Sequence, residues 1–169
     1  MQKILLLIMF IVSAAELQAQ VLPKDSIPPG SATLAFYEGR TACREILPVL
    51  NMPHREECAK RKVWLVLYVD KVTHLPSMYR IGGMGIRSGT GKWAIEKGIP
   101  HHPEAIVYRL DMGEVSLFLL KGDEQVLFIL DKQKNFLVGN AQYSYTLNRV
   151  KDKRSWSKWR ELIHSGASF

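Results

Sequence analysis

The sequence predicts an all-β fold, a small antiparallel up-and-down barrel of about eight strands, with a short helical insertion near its start and an amphipathic helix at its C-terminus. Three observations predict it. Short runs rich in β-branched and aromatic residues recur between turn signals across roughly 120 residues. The connections between them are mostly short, which joins neighbouring strands antiparallel. A meander of that length removes its exposed edges by closing on itself.

The chain has 169 residues, enough for one modest domain. Residues 1–19 carry one basic residue, Lys3, then an apolar run from Ile4 to Val12 and small residues up to Ala19. That is the pattern of a secretory signal peptide. The run is shorter than the roughly 20 residues that span a bilayer. Residues 20–31, including "VLPKDSIPPGS", read as a flexible leader. The barrel domain is expected over 32–149 and a basic tail over 150–169.

The strands come in order. "TLAFYEG" is the first. "ACREILPVL" interrupts the meander as a short helix, with Thr41 as N-cap and Pro48 limiting its length. "KVWLVLYVD" is the strongest strand: Trp64, Val66 and Tyr68 alternate with Val63, Leu65 and Leu67, so both faces are apolar and both are expected to be covered. "SMYRIGGMGIR" has glycines that predict a bulge or sharp bend. "GKWAIEKG", "AIVYRLD", "EVSLFLLKGD" and "EQVLFILD" continue the series. In the last strand, "AQYSYTLNR", Tyr143, Tyr145 and Leu147 share one face. Asp111, Asp123 and Asp131 stand where strands end, as turn chemistry wants. The tail sets Trp156, Trp159, Leu162 and Ile163 on one stripe at helical spacing, opposite Lys151, Lys153, Arg154, Lys158 and Arg160. Such a stripe packs against the barrel or lies on a membrane surface.

Three stretches taken in order, "YEGRTAC", "GKWAIEKG" and "GDEQVLFILDKQKNFLVGNAQYSYTL", resemble the N-terminal domain of the NlpE copper-resistance and envelope-stress lipoproteins. The resemblance spans most of Thr33 to Arg149. It implies a lipocalin-like barrel, a place in the cell envelope, a role in stress sensing or in binding metal or a small ligand, and no established enzyme activity. The chain departs from that family's pattern in two ways. It has no lipobox cysteine, so no lipid anchor is expected, and Ile46 stands where the second cysteine of the family's C-x-x-C would fall.

Cys43 and Cys58 are the two cysteines. In an oxidising compartment they are expected to pair, closing a loop of about 15 residues. The alternative is a copper site: Cys43, Met52, His54 and Cys58 supply thiolate, thioether and imidazole, the soft donors that Cu(I) prefers. A redox-active pair wants a tight C-x-x-C, which is absent.

Other motifs carry less. "PHHPE" offers His101, His102 and Glu104 on what reads as a solvated loop. "GGMGIRSGTGK" fails the phosphate-loop spacing. Neither a G-x-S-x-G elbow nor an acid–base carboxylate pair is present, so no catalytic residue is named. The aromatics Trp64, Tyr68, Trp93, Tyr108 and Phe128 read as barrel core. The formal charge of +7 points to anionic lipid, glycan or acidic protein partners, and an exported chain has little occasion to meet nucleic acid. The function expected is non-enzymatic: binding a small ligand or a partner protein in the envelope.

Overall fold

The computed structural model describes residues 27–53, 56–83 and 86–151. The expected signal peptide, most of the expected leader, His54 and the expected C-terminal helix lie outside them. The described chain is a closed antiparallel barrel in which eight strands pair strictly in sequence order. They are β1 (Ser31–Ala42), β2 (Lys60–Asp70), β3 (Pro76–Gly83), β4 (Ile86–Ile99), β5 (His102–Asp111), β6 (Ser116–Lys121), β7 (Val126–Leu130) and β8 (Thr146–Arg149). One helix, α1 (Cys43–Val49), separates β1 from β2.

The interior is a packed core. Alternation along β2 sends Val63, Leu65, Leu67 and Val69 inward, where they meet Tyr37, Tyr79, Trp93, Tyr108, Leu119, Ile129 and Leu147. An eight-stranded barrel is just wide enough to be filled this way. The buried polar tips find partners: Tyr79 Oη donates to the Asp111 carbonyl at 2.8 Å, and Trp93 Nε1 donates to the Tyr68 carbonyl at 2.7 Å.

α1 packs against one end of this core, with Ile46 and Leu47 fully buried. Its N-cap is Ala42 rather than Thr41. Thr41 remains in the β1–β2 ladder opposite Arg61, and the strand runs into the helix without an intervening loop, so its side chain is not free to cap. Pro48 sits inside the last turn, and the helix ends one residue later.

The outer wall corrects the expectation that the aromatics are all core. Trp93 and Tyr108 are interior, their rings edge to face at 5.1 Å. Trp64 and Tyr68 point outward and form a second cluster with Phe36 and Val66. Phe128 belongs to a third, over β5–β7, with Ile99, Val107, Leu120 and Leu130. The glycines of "SMYRIGG" serve the wall. The Trp64 ring lies against Gly82, where a Cβ would come within 2.6 Å of it. Gly83 has φ +152° and leads into the β3–β4 hairpin, with Gly83 opposite Ile86, so the stretch read as one bent strand is the end of β3 and the start of β4.

Two boundaries also move. β1 starts at Ser31, within the expected leader, after a turn closed by Ser31 N–H on the Pro28 carbonyl at 3.0 Å. β8 is shorter than the sequence suggests, because Asn140 Oδ1 accepts from Gln142 and Tyr143 N–H, both at 2.9 Å, and this turn takes that backbone out of the ladder. Residues 131–145 instead double back, with Phe136 bridging to Leu130 and its ring edge-on to Phe128 at 5.7 Å. Of the three strand-ending aspartates, Asp123 and Asp131 each accept two backbone N–H groups of the following turn, whereas the Asp111 carboxylate pairs with Arg109 at 3.1 Å.

Candidate functional site

Three places on this scaffold collect polar or ligating side chains: the α1 end, the seam between β1 and β8, and the outer wall beside the β4–β5 hairpin.

At the α1 end, Cys43 and Cys58 are joined in a disulfide, with Cα atoms 5.7 Å apart. The bond ties the first residue of α1 to the approach of β2, and Cys43 N–H donates to the Ala59 carbonyl at 3.3 Å beside it. Sulfurs bonded to each other are not thiolate ligands. Met52 is partly buried against the core, and His54 lies outside the described residues. Among the described residues, no group of three or more His, Cys, Asp or Glu side chains could hold a metal ion. Under the helix, burial and the neighbouring Glu45 carboxylate push Tyr145 up to about 12.

The seam is where the barrel closes, and it closes narrowly. β1 meets β8 at only two residue pairs, Tyr37 opposite Arg149 and Glu38 opposite Asn148. Arg149 reinforces the join, its guanidinium reaching the Leu34 carbonyl at 3.3 Å and the Glu124 carboxylate at 3.7 Å. Beyond these pairs the wall opens into a groove of about 410 Å³. Glu38, Arg40 and Lys62 form one bank; Tyr143, Ser144, Thr146 and Asn148 form the other, with Gln142 at its edge. Gly39 lets the banks approach, since a Cβ there would lie 2.2 Å from the Thr146 carbonyl oxygen. Ser144 and Thr146 hydroxyls are hydrogen-bonded at 2.7 Å. Lys60 places its ammonium 5.9 Å over the Tyr143 ring. Glu38 Oε2 is buried with no hydrogen-bond partner among the described residues.

Beside the β4–β5 hairpin, a hollow of about 420 Å³ has an apolar floor of Ile99, Ala105, Leu120 and Phe136, with His102 and Glu104 on its rim. The "PHHPE" stretch is therefore not all loop: Pro100 and His101 make the turn, and β5 begins at His102. His101 and His102 do not converge on one point, because His101 has φ +66° in the turn and His102 starts the strand. Glu104 is held by Lys97 at 2.6 Å. Below it, Glu96 pairs with Arg109 and Lys134 at 2.8 and 2.9 Å.

Sequence reasoning names the cysteines and misses the seam. The seam residues are scattered from Glu38 to Asn148 and converge only when the barrel shuts. The available signal is the run of alternating polar residues Gln142, Ser144 and Thr146, which the period of a strand places on one face without giving them a role.

Fold and groove together define a class: a closed, side-chain-filled β-barrel whose open polar site is on its outer wall. No family model matches the chain, and no curated protein or solved structure matches it either.

Proposed function

We propose that this chain is an exported, soluble, non-enzymatic envelope protein that binds an anionic, hydroxyl-rich ligand, an acidic glycan, in the seam groove. The observation that carries this is the chemistry of the groove. Arg40 and Lys62 supply cationic donors, Asn148 and Gln142 supply paired donor and acceptor groups, Ser144 and Thr146 supply hydroxyls, and Tyr143 supplies a ring face. Glu38 Oε2 is an acceptor without a partner among the described residues, and a ligand hydroxyl would satisfy it. The filled interior points the same way, since a ligand that cannot enter a core must sit on the wall.

The disulfide is compatible with an oxidising compartment. No helix among the described residues is long and apolar enough to cross a membrane. The NlpE-like kinship, with its lipocalin-like ancestry and envelope-stress role, is part of the same proposal. Its support is the order of the three motifs and the eight-stranded antiparallel architecture.

The test is calorimetry of the purified chain against acidic and neutral oligosaccharides of matched length. Acidic forms should bind, and the double substitution Arg40→Gln with Lys62→Gln should weaken binding at least tenfold. Phe136→Ser, in the other hollow, should leave it unchanged. Equal binding of neutral and acidic forms, or indifference to the double substitution, refutes the assignment.

A further inference from the structure

The geometry points to a third cation at the seam: we propose that Lys60 binds ligand there, and that the groove selects chains with at least two neighbouring acidic residues over a ligand with one. Lys60 acts within the acidic-glycan reading of the groove and falls with it if that reading fails. Lys60, Lys62 and Trp64 alternate with the inward Val63 and Leu65, so Lys60 and Lys62 share the outer face of β2. Lys62 stands opposite Arg40 in the ladder. Like charges set opposite each other cost stability, and an anion seated between them relieves the repulsion. Lys60 stands opposite Ala42, about 7 Å further along the same face. It is not part of the groove lining, yet its ammonium reaches across β1 to the far bank and lies 5.9 Å over the Tyr143 ring. That is within the range of cation–π attraction.

The backbone that carries Lys60 is fixed. Cys58, two residues before it, is bonded to Cys43, and Cys43 N–H donates to the Ala59 carbonyl at 3.3 Å. Among the described residues no carboxylate pairs with Lys60 or Arg40. One anionic group seated between Arg40 and Lys62 leaves Lys60 on the ring. A second, one ligand residue further along, draws the ammonium off Tyr143 as its counter-charge and frees the ring face for the sugar. The groove has the opposite character at its other end. Glu38, on the same outer face of β1 as Arg40, has a carboxylate oxygen buried without a partner among the described residues, and Ser144 and Thr146 offer hydroxyls. An acidic group there would face a carboxylate, whereas a ligand hydroxyl would donate to it. The acidic residues of the ligand therefore lie towards Lys60 and its hydroxyl-bearing end towards Glu38.

Calorimetry against uronic-acid trisaccharides with one free carboxylate or two adjacent ones, the rest methyl-esterified, tests the assignment. The unaltered chain should bind the two-carboxylate form about tenfold more tightly, the scale of one added contact between charged groups. Lys60→Gln should remove that advantage and leave the one-carboxylate form unchanged, and Lys60→Arg should restore it. Arg40→Gln with Lys62→Gln should weaken both forms, which reports on the groove independently of Lys60. If that double substitution weakens binding but the unaltered chain does not distinguish one carboxylate from two, the role of Lys60 is refuted and the groove reading stands. The same holds if Lys60→Gln keeps the advantage, or weakens both forms alike as a merely structural role would. No binding of either form, or binding indifferent to the double substitution, overturns both.

Discussion

Reduction of the Cys43–Cys58 bond opens a loop whose ends are 15 residues apart in sequence. On the chain-entropy account, a closed loop of that length is worth about 3 kcal/mol, nearly all of it through the freedom the cross-link denies the unfolded chain. The folded barrel has reasons not to follow the sulfur. Ile46 and Leu47 of α1 are fully buried. Met52 N–H donates to the Leu47 carbonyl at 2.8 Å, and Cys43 N–H to Ala59, so helix and loop are held by backbone bonds as well. The expected result is a folded, less stable protein. With a urea m-value of roughly 1–3 kcal/mol/M, the midpoint should fall by roughly 1–3 M. Urea titrations followed by far-ultraviolet circular dichroism, with and without a phosphine reductant, measure this, and C43A/C58A should reproduce the reduced form. A loss below about 1 kcal/mol would show that the unfolded loop is already restricted, and complete unfolding would show that the bond organises the fold; either refutes the reasoning. The same samples test the copper alternative, which requires tight Cu(I) binding by the reduced chain, weakened by Met52→Leu or His54→Ala.

Gly83→Ala should be among the most damaging single changes, because its Cβ would stand 1.7 Å from the Lys62 carbonyl oxygen at a positive φ; a thermal melt should show a loss on the order of 3 kcal/mol or more. Gly113→Ala, with positive φ but open space, should cost only about 1–2 kcal/mol. Burial pushes Tyr37, Tyr79 and Tyr145 up to about 12, from an ordinary value of 10. Since the unfolded chain loses these protons first, their contribution is fully present below about pH 10 and is lost as pH rises towards about 12; absorbance at the phenolate band should lag until unfolding releases them together. Tyr79→Phe removes the bond to the Asp111 carbonyl and should cost about 1 kcal/mol by urea titration.

Eight strands, their order and the cysteine pairing are legible because each rests on a local signal. Val63 to Val69 can be read as a doubly covered strand from seven consecutive apolar residues, and all seven are buried. Asp123 announces its turn by being an aspartate between two apolar runs. The illegible parts depend on closure or on competing turns. The β8 boundary is misread because Tyr143 has the residue pattern of a strand while the Asn140 side chain claims its N–H. Trp64 reads as core because period 2 separates two faces without saying which is inside. The seam groove is invisible because Glu38 and Asn148 become neighbours only through the ladder between the first and last strands.

The outer wall is the part of this molecule that varies in character, and its division follows from what covers each sector. Over β5–β7 the apolar cluster is roofed by the long β7–β8 connection, with Phe136 against Phe128 and Lys134 reaching back to Glu96 at 2.9 Å. Over β1–β2 the cluster is equally apolar and equally buried, with Met78 of β3 and Val150 packed against it and Arg80 of β3 standing opposite Val66. Between the two lies the seam, polar on both banks, with an acceptor at Glu38 that finds no partner among the described residues. A polar sector needs no cover and is free to exchange water for a ligand. The same packing that fills the core with tyrosine and leucine is why the proposed recognition falls to the strip where the sheet closes.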